Sequence, residues 1–193
     1  MPKLWDETID GHRRAVRDAV LETTVALVTE HGLATVTMSQ IAKEAGLGRA
    51  TLYKYFPDVQ SILLAWHELH VAAHLDHLRA ARDRADGPAA RLEAVLSAYA
   101  RITRTRRHDG EVAAFVHRDR QVAAAERQLH DLVRDAVAEA AAAGAARTDI
   151  PPGELAAYCL HALAAAAALP TEASVGRLLT ATLTGLRPPP DSL

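Results

Sequence analysis

The sequence predicts an all-α protein of about nine helices, and three observations support this fold class. Apolar residues recur at intervals of three and four, as they do on one face of a helix. Glycine and proline interrupt that pattern where helices would end. No window alternates polar and apolar residues as a half-buried strand does. The expected helices span residues 11–31, 37–46, 49–56, 59–85, 89–107, 111–118, 120–143, 154–169 and 172–186.

The composition is that of a soluble globular protein from a reducing compartment. The net charge of the 193 residues is −2, so any basic surface must be local. The single cysteine, Cys159, excludes an intramolecular disulfide and a cysteine-built metal cage, and we expect it to act as a small apolar residue. The longest stretch without Asp, Glu, Lys or Arg, residues 155–171, is shorter than the ~20 residues of a membrane span. With no secretory segment in the first 20 residues, we expect a cytoplasmic protein without a membrane partner.

The first predicted helix has one apolar face and a clear end. Its apolar residues fall at i, i+4, i+7 and i+11, which places them on one side of the helix. Gly32 follows at the position of a C-terminal cap. The face that we expect to be buried comprises Val16, Val20, Thr23 and Leu27.

Residues 37–56, TMSQIAKEAGLGRATLYKYF, predict a helix-turn-helix. Thr37 and Gln40 have the spacing of a capping box, in which each side chain bonds the other residue's backbone N–H, so a helix begins there. Gly46 ends this short helix, and a second short helix runs up to Pro57. The residues expected to face inward are Ile41, Ala42, Ala45, Leu47, Leu52 and Phe56.

The outward face of the second helix has the chemistry of a DNA-reading surface. In a helix-turn-helix the second helix lies in the major groove, and bidentate arginine on guanine is the commonest base contact. Arg49 stands at the N-terminal end, where base edges are reached, whereas Tyr53 and Lys54 suit phosphate oxygens. Residues 37–56 carry three basic residues against one acidic residue, so the basic surface is local to the motif. The candidate DNA-binding residues are Thr37, Ser39, Lys43, Gly48, Arg49, Ala50, Thr51, Tyr53 and Lys54.

Over roughly residues 11–70 this pattern resembles the DNA-binding domain of TetR-family (tetracycline-repressor-like) transcriptional regulators. Two positions depart from the family pattern. Gly48 stands where the family has a capping Ser or Thr, and Val59 stands where it has a lysine that can contact phosphate. The residues in family register are Ile41-Ala42, Ala45-Gly46, Thr51-Leu52-Tyr53 and Tyr55-Phe56.

The resemblance implies a two-part regulator that represses from a palindromic operator and is released by a small-molecule effector. A helix-turn-helix domain would occupy residues 1–57 and a regulatory and dimerisation domain residues 58–187, followed by a disordered tail at 188–193. DNA geometry also favours a homodimer, because one short recognition helix reads few base pairs, whereas two helices about 34–36 Å apart read both halves of a palindrome.

Two apolar helices near the C-terminus are the candidates for the dimer interface. Helices 154–169 and 172–186 from each of two chains would make a four-helix interface, or else both are core helices of a monomer. The expected interface residues are Leu155, Tyr158, Leu163, Val175, Leu178, Leu179, Thr182, Leu183 and Leu186.

A stripe of histidines marks the expected effector pocket. The histidines from residue 67 to residue 77 recur at i, i+3, i+7 and i+10, so they share one helix face. They would hold a metal or a polar effector, or form an ordinary polar or interfacial stripe. A helix places only adjacent-turn pairs of ligands well, so we expect neither a metal nor a cofactor. The candidate pocket residues are Trp66, His67, His70, His74, Tyr99, Phe115 and Tyr158, and His77 completes the stripe.

Two other classes of protein compete with a regulator. An enzyme is disfavoured because no Glu is followed by His three residues later, as a di-iron site requires. Motifs of zinc proteases, serine hydrolases, phosphate loops and dinucleotide-binding folds are also missing. The alternative function is a helical protein-interaction module that does not bind DNA. Binding to random duplex at low salt separates this module from a regulator.

Overall fold

The computed structural model describes residues 3–105 and 120–189, with side chains for residues 11–105 and 124–189. Within these ranges the chain forms eight α-helices, two short 3₁₀ segments and no strand, which confirms the all-α class. The predicted helix 111–118, the candidate pocket residue Phe115 and the tail from residue 190 lie outside the described residues. The helices are α1 (Lys3–His31), α2 (Met38–Glu44), α3 (Arg49–Tyr55), α4 (Val59–Asp83), α5 (Pro88–Thr105), α6 (Arg120–Ala142), α7 (Pro152–Ala164) and α8 (Glu172–Gly185).

The described residues divide into two compact units. The first contains residues 3–70 and the second residues 71–105 and 120–189. The division lies within α4, directly after His70, and α4 is one continuous helix across it. The functional domain limits expected at residues 57 and 58 stay a prediction.

The first helix begins earlier than the sequence suggested. α1 starts at Lys3 rather than near Gly11, which lies inside it. A glycine within a helix lowers its stability by about 1 kcal/mol relative to alanine, which weakens a long helix but does not end it. The expected end is confirmed, because Gly32 follows the last turn with φ at 79° and donates its N–H to the Val28 carbonyl at 2.9 Å.

The buried face of α1 is turned by about one residue from the predicted face. Val20 is buried as expected, but the other three predicted residues are only half-buried. The stripe turns because Thr24 can be buried at low cost: its hydroxyl donates to the Val20 carbonyl at 2.7 Å. The predicted residues that are half-buried are Val16, Thr23 and Leu27; the buried residues are Val20, Leu21, Thr24 and Val28.

The buried side chains of the first unit come from the first three helices and from the start of α4. α1 packs against α2, and α2 packs against α3. Each large apolar side chain removed from water contributes about 1.5–3 kcal/mol to the stability of this small unit. Besides the α1 residues, the core contains Val36, Met38, Ile41, Ala42, Leu52, Phe56, Ile62, Leu63, Ala65, Trp66 and His67.

The core of the second unit lies among α5, α6, α7 and α8. α6 packs along both α5 and α7, and α7 packs against α8. Alanines at many of the contacts let the helix backbones approach closely. The buried residues are Leu92, Val95, Leu96, Ala100, Val133, Ala136, Val137, Ala140, Ala146, Leu155, Ala156, Cys159, Leu163, Ala166, Val175 and Leu186.

The alanine-rich segment before Pro170 is not α-helical to its end. The α-helix predicted for residues 154–169 begins two residues earlier, at Pro152, where the missing N–H of proline is harmless. It ends at Ala164 and tightens into a 3₁₀ segment, Ala165–Ala168. None of the described helices is long and apolar enough to cross a membrane.

Candidate nucleic-acid interface

The helix-turn-helix begins with the predicted capping box. Gln40 N–H donates to Thr37 Oγ1 at 3.3 Å, and Thr37 N–H donates to Gln40 Oε1 at 2.9 Å. Two of the amides at the start of α2 that lack a partner within the helix are thereby satisfied. The capping box therefore fixes where α2 starts and how the chain enters it.

A left-handed glycine forms the turn between α2 and α3. Gly46 has φ at 67°, a conformation that costs residues with a Cβ about 1–2 kcal/mol. Its N–H donates to the Lys43 carbonyl at 3.2 Å, and the N–H of Leu47 reaches back to the Ala42 carbonyl at 2.8 Å. This hydrogen bonding ends α2 and redirects the chain into α3 within a few residues.

The inner faces of α2 and α3 are buried as predicted. Ile41 and Leu52 have no exposed surface, Ala42 is 1% exposed, and Phe56 at the end of α3 is 3% exposed. The predicted inward residues Ala45 and Leu47 are only half-buried, because they lie at the turn. The apolar inner face holds the outer face of α3 in a fixed orientation.

All nine candidate DNA-binding residues are exposed. Tyr53, for example, leaves 49% of its surface to solvent. Among the side chains that the structure describes, no ion pair involves Lys43, Arg49 or Lys54, so these cations are available to phosphate or base edges. The nine residues lie on α2 and α3 or directly before them, and their use in DNA binding stays a prediction: Thr37, Ser39, Lys43, Gly48, Arg49, Ala50, Thr51, Tyr53 and Lys54.

The start of α3 and the start of α4 are capped differently. Gly48 precedes α3 without a side-chain hydrogen bond, and only its carbonyl takes part, accepting from the Thr51 N–H at 2.9 Å. Asp58, in contrast, accepts the N–H of Ser61 at 2.7 Å, which confirms it as the predicted N-cap of α4. Val59, the second departure from the family pattern, is half-buried and carries no charge.

One cation beside this element was missed by the sequence analysis. The guanidinium of Arg17, on α1, lies over the ring of Phe56 at 5.3 Å from its centroid. Arg17 is exposed, and it brings α1 into contact with the end of the recognition helix. Only the tertiary fold joins these two residues, and no local pattern announces the pair.

The histidine stripe passes from the core to the surface of α4. His67 is 5% exposed and belongs to the core of the first unit. His70 stacks on Trp66 with ring centroids 3.9 Å apart, and its Nδ1 lies 3.0 Å from the Trp66 carbonyl oxygen. His74 is half-buried, and His77 is exposed. Among the described residues, no group of three His, Cys, Asp or Glu side chains could hold a metal ion.

A cavity of about 580 Å³ lies in the second unit between α5, α6 and α7. Of the candidate pocket residues that the structure describes, only Tyr99 lines this cavity. Trp66 and His67 are buried elsewhere, and Tyr158 stands outside the lining with 47% of its surface exposed. Two histidines outside the predicted set, His130 and His161, line it instead. The cavity residues are Tyr99, Glu126, Arg127, Leu129, His130, Ala157, Leu160, His161 and Ala164.

The hydrogen bonds of the two cavity histidines are to backbone carbonyls. His130 Nε2 lies 3.1 Å from the Gly153 oxygen, and His161 Nδ1 lies 2.7 Å from the Ala157 oxygen. Each of these nitrogens must carry the proton that is donated, which leaves the other ring nitrogen as an acceptor when the ring is neutral. Arg127 adds an exposed cation at the rim.

The residues expected at a dimer interface divide into two groups. Five of the nine are buried within the second unit of a single chain, and their place in an interface stays a prediction. The four apolar ones among them belong to the core cluster of the second unit, and the hydroxyl of Thr182 donates to the Leu178 carbonyl of its own helix at 2.9 Å. The buried five are Leu155, Leu163, Val175, Thr182 and Leu186; the four that reach the surface are Tyr158, Leu178, Leu179 and Leu183.

Comparison with known families identifies both parts of the chain. Residues 20–66 match the model of bacterial regulatory proteins of the tetR family. Residues 96–188 match the C-terminal domain of SbtR-like transcriptional regulators. The two matches together cover most of the chain, and the first contains the whole helix-turn-helix.

Two curated regulators are similar to this chain in sequence. The HTH-type transcriptional regulator BetI of Agrobacterium fabrum is 38% identical over 100 residues, which is 50% of this chain and 44% of BetI. The HTH-type transcriptional repressor LfrR of Mycolicibacterium smegmatis is 28% identical over 147 residues, 74% of this chain and 72% of LfrR. The match to BetI thus spans less than half of that protein.

Solved structures share the fold over nearly the whole chain. A TetR/AcrR-family regulator from Thermobifida fusca has a TM-score of 0.75 at 21% identity, covering 89% of this chain and 98% of that one. A TetR transcriptional regulator from Streptomyces coelicolor has a TM-score of 0.62 at 26% identity, covering 89% of this chain and 98% of that regulator. With both family matches and the exposed helix-turn-helix, the chain belongs to the TetR family of bacterial transcriptional regulators.

Proposed function

We propose that this protein is a sequence-specific DNA-binding repressor that acts as a homodimer on a palindromic operator. The observation that carries the proposal is the outer face of α3. Arg49, Thr51, Tyr53 and Lys54 are exposed there, while Leu52 on the opposite side is fully buried. The fold therefore presents a rigid, locally basic helix of the width that a major groove accepts.

Different residues of this face would recognise bases and contact the phosphate backbone of DNA. Arg49 stands at the start of α3, where a guanidinium can form two hydrogen bonds with the O6 and N7 atoms of guanine. Lys43 and Lys54 suit phosphate oxygens, as does the hydroxyl of Tyr53. None of the side chains described for residues 11–105 and 124–189 forms an ion pair with these three cations, and this favours such use, since phosphate would not have to displace an existing pair.

A second copy of the chain is the proposed partner at α7 and α8. Tyr158 on α7 is exposed, and the exposed side of α8 carries small residues that allow close helix approach. Four helices, two from each chain, would form the interface. The α8 residues on this side include Gly176, Thr180, Ala181 and Thr184, beside the half-buried Leu178, Leu179 and Leu183.

The cavity among α5, α6 and α7 is the proposed effector site. Its volume of about 580 Å³ falls within the range of roughly 300–1,000 Å³ of small-molecule sites. An effector releases the repressor only if it prefers the conformation that does not bind DNA, and a typical coupling free energy is about 1–3 kcal/mol. α4 begins directly after the recognition helix and continues into the second unit, so it is the element through which the two events would be linked.

Selection of bound sequences from random duplex DNA tests this function. The full-length protein should enrich a palindrome whose half-site centres lie one helical turn apart, about 34–36 Å, or a multiple of that distance. Binding to unselected duplex should weaken steeply as salt rises from 50 to 200 mM. Failure to retain any duplex at low salt would refute the proposal and favour the protein-interaction module.

A further inference from the structure

Arg17 holds an unusual position for an exposed arginine. Its guanidinium lies 5.3 Å from the centroid of the Phe56 ring, at the residue that ends the recognition helix α3. Stacking on an aromatic face orients a guanidinium and keeps its N–H groups free at the edge of the plane. Arg17 is thus a cation whose place is fixed by a residue of the helix-turn-helix.

No carboxylate competes for this cation among the residues whose side chains are described. None of the ion pairs in that part of the chain includes Arg17. The neighbours one turn away along α1 are Arg13 and Arg14 on one side and Val20 and Leu21 on the other, so the helix offers it no acidic pair. Like charges one turn apart destabilise a helix slightly. An anion that binds beside Arg17 would reduce this repulsion.

The anion that the geometry favours is the DNA backbone. α3 has seven residues and is therefore about 10 Å long, close to the roughly 12 Å width of the major groove. When such a helix lies in the groove, its ends approach the phosphates that form the groove walls. Phe56 directly follows α3, and Arg17 covers its ring, so this guanidinium stands next to a groove wall.

We propose that Arg17, oriented by the Phe56 ring, contacts a phosphate of the duplex that α3 reads. The proposal rests on the proposed function, because it concerns the same DNA complex. It assigns part of the backbone contact to α1, outside the two helices of the motif. The contact increases affinity for DNA and helps to fix the position of the protein along the duplex, but it does not recognise base sequence.

One negative group near this position must be considered. Asp58 lies two residues after Phe56, and a free carboxylate there would repel phosphate. Its carboxylate accepts the Ser61 N–H at 2.7 Å, so it is held at the N-terminus of α4, where the helix dipole compensates part of its charge. None of the ion pairs of the described side chains joins Asp58 to Arg17, so the carboxylate does not occupy this cation.

The salt dependence of binding tests the proposal. Full-length wild type, Arg17→Met, Arg17→Gln and Arg17→Lys are each titrated with a random-sequence duplex between 50 and 200 mM salt. Loss of one phosphate contact lowers the slope of log K against log salt by about 0.9 for each protomer bound. The affinity ratio of wild type to the Met or Gln variant should then fall by about 3.5-fold per protomer over this range, while the Lys variant keeps the wild-type slope.

Two controls separate the possible outcomes. Arg84→Gln removes the same charge from an exposed arginine of the second unit and should leave the slope unchanged. Arg17→Met places an apolar side chain and Arg17→Gln a polar one beside the Phe56 ring, so agreement between the two variants assigns the effect to the lost charge rather than to packing. If wild type binds duplex with a steep salt slope and both neutral variants share that slope, Arg17 is no phosphate contact, although the proposed function stands. If wild type itself fails to bind at 50 mM salt, the proposed function falls and the Arg17 contact falls with it.

Discussion

The phenol of Tyr158 occupies the space that a side chain at Gly185 would need. Tyr158 Oη lies 3.0 Å from the place that a Cβ at residue 185 would take, and two ring carbons lie at 3.6 Å. Tyr158 is nevertheless 47% exposed. The tyrosine therefore lies against the end of α8, at the surface that we propose for the partner chain.

Gly185→Ala should weaken self-association more than folding. The added methyl displaces the phenol, while the gain in helix propensity, at most about 1 kcal/mol, offsets much of the lost packing. Sedimentation equilibrium should show a higher dimer dissociation constant, with a urea midpoint close to that of wild type. Gly11→Ala, where a Cβ meets nothing within 4 Å, is the control and should leave association unchanged. An unaltered dissociation constant for Gly185→Ala would remove Tyr158 from the interface.

Gly48→Ser should stabilise the first unit by a few tenths of a kcal/mol. Gly48 has φ at −67° and ψ at 140°, which serine adopts without strain, and the new Cβ would lie 3.7 Å from Thr51 Oγ1. The serine hydroxyl can then cap α3 by accepting from a backbone N–H of its first turn. The measurement is the urea midpoint, with thermal unfolding as a check.

The same substitution two residues earlier supplies the control. At Gly46, with φ at 67°, serine should destabilise the protein by about 1–2 kcal/mol. If Gly46→Ser and Gly48→Ser shifted the urea midpoint equally, backbone conformation would not decide the change in stability at either position.

Features set by neighbours in the sequence could be predicted from the sequence. The Thr37–Gln40 box, the turn at Gly46 and the Asp58 cap each depend on hydrogen bonds within a few residues, and all three are present. The spacing of apolar residues was sufficient to predict the fold class and most of the buried residues on the inner face of the helix-turn-helix.

Features set by tertiary packing could not be predicted in the same way. Thr24 rather than Thr23 is buried, because a hydroxyl bonded to its own helix can lie in a core that apolar periodicity alone would not assign to it. Leu155 and Leu163 face the protein's own core, and a monomer core and a dimer interface have the same apolar pattern in sequence. Arg17 meets Phe56 only after α1 folds back on the motif.

Arg49→Ala should weaken binding by about 1–3 kcal/mol at the base that Arg49 contacts and relax the preference there. The reason is that a bidentate guanidinium recognises one base, so its loss affects operators that carry this base and leaves others nearly unchanged. Binding to a panel of operators with single base changes measures the effect. Tyr53→Phe provides the contrast, since a lost phosphate contact weakens all sequences about equally. Uniform weakening by Arg49→Ala would reassign Arg49 to the backbone.

Glu139→Gln should destabilise the second unit by about 1 kcal/mol. Glu139 on α6 pairs with Arg82 on α4 through one carboxylate oxygen. The other oxygen lies 4.0 Å from Arg91 Nη1. It is buried and has no hydrogen bond in the described structure. The pair is partly shielded from water, with 27% and 36% of the two side chains exposed, so it is worth more than a surface pair. Asp76→Asn breaks an exposed pair to Arg79 within one helix and should change the free energy of unfolding by less than about 0.5 kcal/mol. If the two variants lost equal free energy of unfolding, partial burial would add nothing to the stability that the Glu139–Arg82 pair contributes.

The buried thiol of Cys159 should make stability fall at alkaline pH. Burial within α7 raises the pKa of Cys159 from 9.0 to about 12, because the thiolate would lose its hydration. A group whose pKa is raised on folding contributes stability below its unfolded pKa and loses it as pH rises toward the folded value. Between about pH 9 and pH 12 the unfolded chain releases this proton while the folded chain keeps it, which lowers the free energy of unfolding by up to about 4 kcal/mol.

The Cys159→Ala variant isolates this contribution from the tyrosines and lysines that titrate in the same range. The variant should be less stable at neutral pH, since it leaves a small cavity, but its stability should decline less steeply above pH 9. Urea unfolding at half-unit pH intervals gives the free energy of unfolding of each protein as a function of pH. The difference between the two curves is the contribution of the thiol. Parallel curves would mean that the folded thiol ionises as easily as the unfolded one, which a side chain with no exposed surface in an apolar core should not do.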